Sequence, residues 1–412
     1  MTQQGTQCLT RTLFGCDGLA PWLAASSRRR VTVLVDPGVL GTEIVSRVRR
    51  QVAKAGREEE LTVLPGPGTL AGVLDLADRM TDIELVVGVG GGSLLDQAKL
   101  LTLLHGRPAA RARLSVPQRS GITVLPQDVE RGVPLVAVPT TLGTGAELST
   151  VACLEYPQGK RLISGECLRP DFAVLDPVAT DTLPAELISE AVLEALFRLV
   201  SMYAGDHDDL PTEDALVEAL AVRLVTVGHQ VRSARSGGQA VDRALRLEIA
   251  KLSGLTHQEW IHLGRAAFAN KGWLIANEVS GALGVRKMRA VAALLPPLWR
   301  AIADGERRLG SARRLTRLWS VLSTADPIAL PADPADGMAA LIDSWPVERR
   351  LSAGEGALDA IAARIVRAWG AGLPMLGGLT KDELRHLLAG VIRIPESASA
   401  VGTKDSRGQT AG

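Results

Sequence analysis

The residues best suited to chemistry are Gly90-Gly91-Gly92-Ser93. The apolar run Leu85-Val86-Val87-Gly88-Val89 leads into them, and Leu94, Leu95, Ala98, Leu101 and Leu104 follow at helical spacing. The first run reads as a buried parallel strand and the second as a helix with Ser93 as its N-cap. Glycines at such a turn let a ligand approach the backbone, and the helix start offers free N–H groups and a positive dipole end. That combination can cradle a pyrophosphate. The spacing is neither G-x-G-x-x-G nor a P-loop, so a purely structural glycine turn is the alternative. A second strand, residues 134–139, runs into Thr140-Thr141-Leu142-Gly143-Thr144-Gly145-Ala146-Glu147. Hydroxyls and glycines therefore crowd a strand end, where open α/β sheets hold their ligands. Asp36 closes an earlier strand. Its carboxylate could accept from both ribose hydroxyls of an adenosine and repel a 2′-phosphate, or it could cap the turn at Pro37-Gly38.

The elements that must position these groups follow from periodicity. Strands are predicted over 31–36, 60–65 and 84–90, and helices over 42–55 and 69–80. That alternation indicates a doubly wound parallel sheet in an α/β N-terminal domain. Residues 107–132 read as a long irregular connection, and 151–156 with 161–164 as a hairpin around Pro157-Gln158-Gly159. Past Pro184 the chain turns to Ala, Leu, Arg and Glu at helical spacing, with breaks at 205–211, 236–238 and 326–336. The reading is a dinucleotide-binding α/β domain over 1–184, an all-helical C-terminal domain over 185–394 and a disordered tail over 395–412.

Composition narrows the partners. The 412 residues carry a formal net charge of +1 and few aromatics, which argues against nucleic acid or an anionic membrane. Four cysteines, Cys8, Cys16, Cys153 and Cys167, lack C-x-x-C spacing and read as reduced thiols. The apolar stretch over 290–299 is too short for a membrane span, and residues 13–25 do not make a signal peptide. A cytoplasmic protein is expected.

The pair GGGSxxDxAK and PTTxGTGxE resembles the family of iron-containing alcohol dehydrogenases, glycerol dehydrogenase and dehydroquinate synthase. The resemblance continues through Arg169-Pro170-Asp171 and Asp176-Pro177 to Thr182-Leu183-Pro184. It implies a dehydroquinate synthase-like fold, self-association into a homo-oligomer and NAD as cofactor. It places the pyrophosphate on Gly90, Gly91, Gly92 and Ser93 and sets Asp96 near the nicotinamide. Thr140, Thr141 and Thr144 would line the adenine and ribose region. Lys99 is assigned a helix-surface or strand-end role, and Lys160 a weaker place in the cleft.

The family also implies a divalent metal in the helical domain, held by an Asp and two or three His. Here Glu194 stands for the Asp, and Arg198, Asn277, Gly281 and Lys287 stand where the remaining ligands and a cleft His belong. Guanidinium and ammonium groups offer no lone pair. His105, His207, His229, His257, His262 and His386 are scattered. No catalytic metal is expected. Two readings stay open. In one, Lys287, Arg198 and Glu194 sustain metal-independent oxidation of a secondary alcohol, with the cations stabilising an alkoxide or clamping a carboxylate. The substrate would be a small 3-hydroxy acid or a peptide ending in Thr, since degenerate family members occur in natural-product pathways of the daptide type; oxidation there gives a keto acid that loses CO₂. In the other, Glu194 and Arg198 are an i, i+4 ion pair in an inactive NAD-binding pseudoenzyme or partner subunit. Phosphate-ester cyclisation, the synthase branch's reaction, lacks both the metal and the basic phosphate contacts.

Overall fold

A computed structural model describes residues 10–117, 119–156, 159–325 and 329–395. The chain opens with β1 (Arg11–Phe14) and α1 (Leu19–Ala25). It then alternates β2 (Arg30–Val35), α2 (Glu43–Lys54), β3 (Glu58–Val63), α3 (Leu70–Arg79), β4 (Val86–Gly90) and α4 (Gly92–Leu104). After α5 (Pro108–Ser115) come β5 (Ile122–Val124), β6 (Leu135–Pro139), β7 (Val151–Tyr156), β8 (Gly159–Ser164) and β9 (Phe172–Leu175). Six of these strands form one parallel sheet in the order β1-β9-β6-β4-β2-β3. β4 and β6 are buried at every position because helices cover both faces, which is why they read as unbroken apolar runs. α2 turns Ile44, Val45, Val48 and Val52 inward on one stripe.

The order places the sheet's switch point between β2 and β4, since the chain leaves β2 toward β3 and returns to the far side. The Asp36 amide donates to Val89 O at 3.1 Å and Thr140 N to Gly90 O at 3.0 Å. The ends of β2, β4 and β6 are thus brought side by side, where such sheets bind ligands. The hairpin forms as expected, β7 antiparallel to β8, and β5 adds to it in parallel.

From Ala185 the chain is helical: α6 (Ala185–Gly205), α7 (Pro211–Ser236), α8 (Arg243–Leu255), α9 (Lys271–Leu283), α10 (Lys287–Ala303), α11 (Ala312–Thr324) and α12 (Pro334–Ser344). There follow β10 (Leu351–Ser352), α13 (Ala357–Trp369), α14 (Lys381–Ala389) and β11 (Ile392–Arg393). One large core unites α6 to α14. No helix of the described residues is long and apolar enough to cross a membrane.

Four expectations are corrected. Gly91, not Ser93, caps α4; its carbonyl accepts from Leu94 N and Leu95 N at 3.1 Å, so Ser93 lies inside the first turn. β1 went unread because it is a half-exposed edge strand whose partner, β9, lies some 160 residues downstream. The connection over 107–132 holds α5 and β5. The C-terminal half is not purely helical, since β10 and β11 pair in parallel. The expected tail lies outside the described residues from 396 onward.

Candidate active site

The sheet's carboxyl edge and the helical half enclose a cleft of about 1080 Å³. From the sheet side it is lined by Gly92, Ser93 and Asp96 of α4, Thr144, Cys153 of β7 and Lys160 of β8. Facing them are Glu194 and Arg198 of α6, Trp273 and Asn277 of α9, and Lys287 at the start of α10.

The glycine turn is tightly packed. A Cβ at Gly90 would lie 2.8 Å from Leu94 Cβ, one at Gly91 3.1 Å from Thr141 Cγ2, and one at Gly92 3.3 Å from Thr144 Cγ2. The first N–H groups of α4 have no intrahelical acceptors, and those of Gly92 and Ser93 belong to residues lining the cleft. Asp36, Gly90 and Gly91 border this turn at the switch point, outside the lined volume. Asp36 Oδ1 accepts from Gly38 N at 2.8 Å, so the residue does cap its turn. Thr144 lines the cleft, whereas Thr140 and Thr141 do not. Thr140 is buried at the strand end, and Thr141 packs its methyl on Gly91 while its hydroxyl is buried without a partner. Both stand at the end of β6, directly behind the glycine turn.

Beneath the cleft, Asp96 Oδ2 accepts from Cys153 N at 3.0 Å and its Oδ1 lies 3.5 Å from Lys99 Nζ. Lys99 is not on a helix surface. It is fully buried and donates to Val151 O at 2.8 Å, joining α4 to β7. Burial pushes the Asp96 carboxyl up and the Lys99 ammonium down, each partly countered by the other's charge. Burial likewise raises the Cys153 thiol to about 11.

Arg198 holds the two halves together. Nη1 donates to Thr256 Oγ1 at 2.7 Å, and Nη2 to Gly143 O at 3.1 Å and Thr144 O at 3.2 Å. Glu194 stands 3.8 Å away, one helical turn earlier. His257 adds a second tie, its Nε2 lying 3.1 Å from Thr144 O. Gly145, at φ +59°, makes room for that ring: a Cβ would sit 2.1 Å from it. Burial and the Arg198 charge hold His257 neutral. Three N–H groups of Arg198 are thus held within the protein, while the guanidinium also lines the cleft.

Lys287 and Arg198 do converge, on one indole. Lys287 Nζ lies 3.6 Å from the Trp273 ring centroid and Arg198 Cζ 5.5 Å from it. Desolvation lowers the Lys287 ammonium to about 8, with Arg198 and Lys160 adding to the effect and Glu194 opposing it. Trp273 precedes Asn277 by one helical turn, so its place on the same face was readable from spacing. Gly281 lies off the cleft, beside Arg364. Glu194, Asn277, Arg198 and Lys287, which the sequence resemblance sets against a metal site, offer one carboxylate, one amide and two cations. That set does not fit a divalent ion, which needs several anionic or imidazole donors. Among the described residues no three of His, Cys, Asp and Glu converge as a metal site.

The sequence profile of the iron-containing alcohol dehydrogenase family matches residues 10–177. Over this segment the chain is similar to that family. The chain is 28% identical over 253 residues to long-chain-alcohol dehydrogenase 1 of Geobacillus thermodenitrificans, covering 61% of each. It is 23% identical over 267 residues to the NADPH-dependent aldehyde reductase YqhD of Escherichia coli, covering 64% of this chain and 65% of that one. The chain thus matches somewhat under two thirds of these relatives' length. The fold is shared further: NADH-dependent butanol dehydrogenase A of Thermotoga maritima superposes with a TM-score of 0.76 at 16% identity, over 95% of this chain and 99% of that one.

Proposed function

We propose that this protein is an NAD-dependent oxidoreductase of alcohols and their carbonyl partners, in which Lys287 takes the place of the metal. The observation that carries the reading is the pairing of a bare glycine turn and helix start with an amine on the opposite wall of one cleft. The similarity to the iron-containing alcohol dehydrogenase family supports redox chemistry on alcohols. A nicotinamide bound against Gly92 and Ser93 would supply the hydride acceptor. Asp36, at the switch point, favours NAD over its 2′-phosphorylated form by charge repulsion.

Lys287 handles the substrate's proton. As the neutral amine it accepts the hydroxyl proton during oxidation; as the ammonium it donates to the carbonyl oxygen in reduction and offsets alkoxide charge. Trp273 shields this centre from water and fixes the amine over its face. Lys160, on the facing hairpin, gives the cleft a further cation, and this supports a secondary alcohol bearing a carboxylate. A 3-hydroxy acid, free or at a peptide's C-terminal Thr, fits that chemistry and would yield a keto acid prone to lose CO₂.

The test is turnover by chelator-treated protein with NAD and a panel of secondary alcohols and hydroxy acids. Oxidation without added metal is expected, rising as pH passes about 8, with carbonyl reduction falling over the same interval because it needs the ammonium. A strict requirement for added Fe²⁺ or Zn²⁺ would overturn the metal-free reading. A second reading, nucleotide binding without turnover, is favoured by the three hydrogen bonds that tie Arg198 to Thr256, Gly143 and Thr144. Tight NADH binding with no turnover across the panel would select it.

A further inference from the structure

The cleft is lined by the Cys153 thiol and by two amines, Lys160 on the hairpin and Lys287. The thiol stays protonated, since burial and the nearby Asp96 charge raise it. The Lys287 amine is placed differently. It is the first residue of α10, where the helix dipole disfavours a cation. The preceding Arg286 is held by Glu190 through Nε at 3.0 Å and Nη2 at 2.6 Å, which fixes where that helix begins. Among the described residues no acceptor lies within hydrogen-bond distance of Lys287 Nζ and no carboxylate within 4.0 Å; it rests on the Trp273 face. Arg198 and Lys160 add positive charge around it. An amine next to other cations, seated on an indole face and open to a ligand cleft, is an activated nucleophile.

We propose that Lys287 forms a covalent imine with the carbonyl form of the ligand, an aldehyde or ketone. Its lone pair adds to the carbonyl carbon to give a carbinolamine. Glu194, on the same wall, relays a proton to the departing oxygen; the C–O bond breaks, water leaves and the C=N bond forms, with no net oxidation. The inference rests on the reading that carbonyl compounds enter this cleft, but not on hydride transfer.

The experiment exposes the full chain at pH 8 to butanal or acetone with sodium cyanoborohydride, which fixes any imine as a secondary amine. Intact mass and peptide mapping then locate the adduct. One alkyl group per chain is expected, on Lys287 at least tenfold faster than on the exposed Lys54 and Lys381 of the same molecule. Glu194→Gln should keep the site of labelling and slow it. Lys287 labelling no faster than Lys54 overturns the proposal, and because the comparison is internal to the wild-type chain it does not depend on a variant's folding. An adduct on Lys287 in a protein that never reduces NAD would sink the oxidoreductase reading alone. Turnover without the adduct would sink the imine alone.

Discussion

Replacing Lys287 by Met should make the protein more stable and inactive at once. The ammonium is lowered from 10.5 to about 8 by desolvation, so the folded state holds this proton less tightly than the unfolded chain does. At one pKa unit per 1.36 kcal/mol, burying the charged group costs about 3 kcal/mol at pH 7. Contact with Trp273 at 3.6 Å returns about 1 kcal/mol to the cation. Met keeps the length and the apolar contact, so the net gain is about 2 kcal/mol. The sign with pH follows from linkage. Between about 8 and 10.5 the unfolded chain binds more protons than the folded one, so wild-type stability rises with pH across that window. The Met variant's advantage should therefore shrink, to under about 1 kcal/mol by pH 10. Denaturant melts of both proteins at pH 7 and pH 10, beside an NADH titration and a turnover assay, test each part. A variant less stable than wild type at pH 7 would refute the desolvation argument, as would an advantage of the same size at pH 10. Retained turnover would remove Lys287 from the chemistry.

Three further perturbations separate the site's parts. Arg198→Met removes three hydrogen bonds that tie α6 to the Gly143–Thr144 loop and to Thr256; it should cost about 3 kcal/mol and weaken NADH binding roughly tenfold, read by melting and cofactor fluorescence. Gly92→Ala puts a methyl 3.3 Å from Thr144 Cγ2 in the cradle while improving helix propensity, so stability should hold within about 1 kcal/mol while NADH affinity falls about tenfold; unchanged affinity would mean that the glycine serves the turn alone. Asp36→Ser keeps an oxygen to cap Gly38 N and removes the charge. Relative affinity should then move toward NADPH by about tenfold with little loss of stability, and an unmoved NADH/NADPH ratio would return Asp36 to a purely capping role.

Much of the nucleotide half could be read from sequence because its signals are local. β4 and α4 announce themselves by a buried run, three glycines and a helical stripe within 20 residues. Even the misplaced cap erred by only two positions, since backbone rather than side chain satisfies the first turn. What escaped depended on distance along the chain. β1 is a strand only because β9 lies beside it. The closeness of the Thr141 methyl to Gly91 likewise joins two strand ends that are remote in sequence. The ties of Arg198 could not be read from the sequence, because its acceptors sit 54 to 58 residues away on two other segments. His257, set aside as scattered, owes its place to the same loop.

The charge arithmetic of the helical wall explains why Lys287 is the reactive member. Glu194 is one carboxylate facing two cations. Arg198 stands closer to it, at 3.8 Å, and is hydrogen-bonded to two carbonyls and a hydroxyl that reinforce its charge. A guanidinium does not give up its proton in proteins, so Arg198 stays charged whatever the surroundings. The adjustment falls on the group that can change state. Lys287 has the lesser share of Glu194, a helix N-terminus beneath it and an indole in place of an acceptor. The wall thus holds one fixed cation, which serves the architecture, and one titratable amine, which is available for chemistry. Converting Glu194 to Gln should lower the Lys287 amine further and move the pH dependence of oxidation below about 8. A profile unmoved by that change would show that Glu194 and Lys287 do not share a site, and the division of roles argued from their geometry would fail.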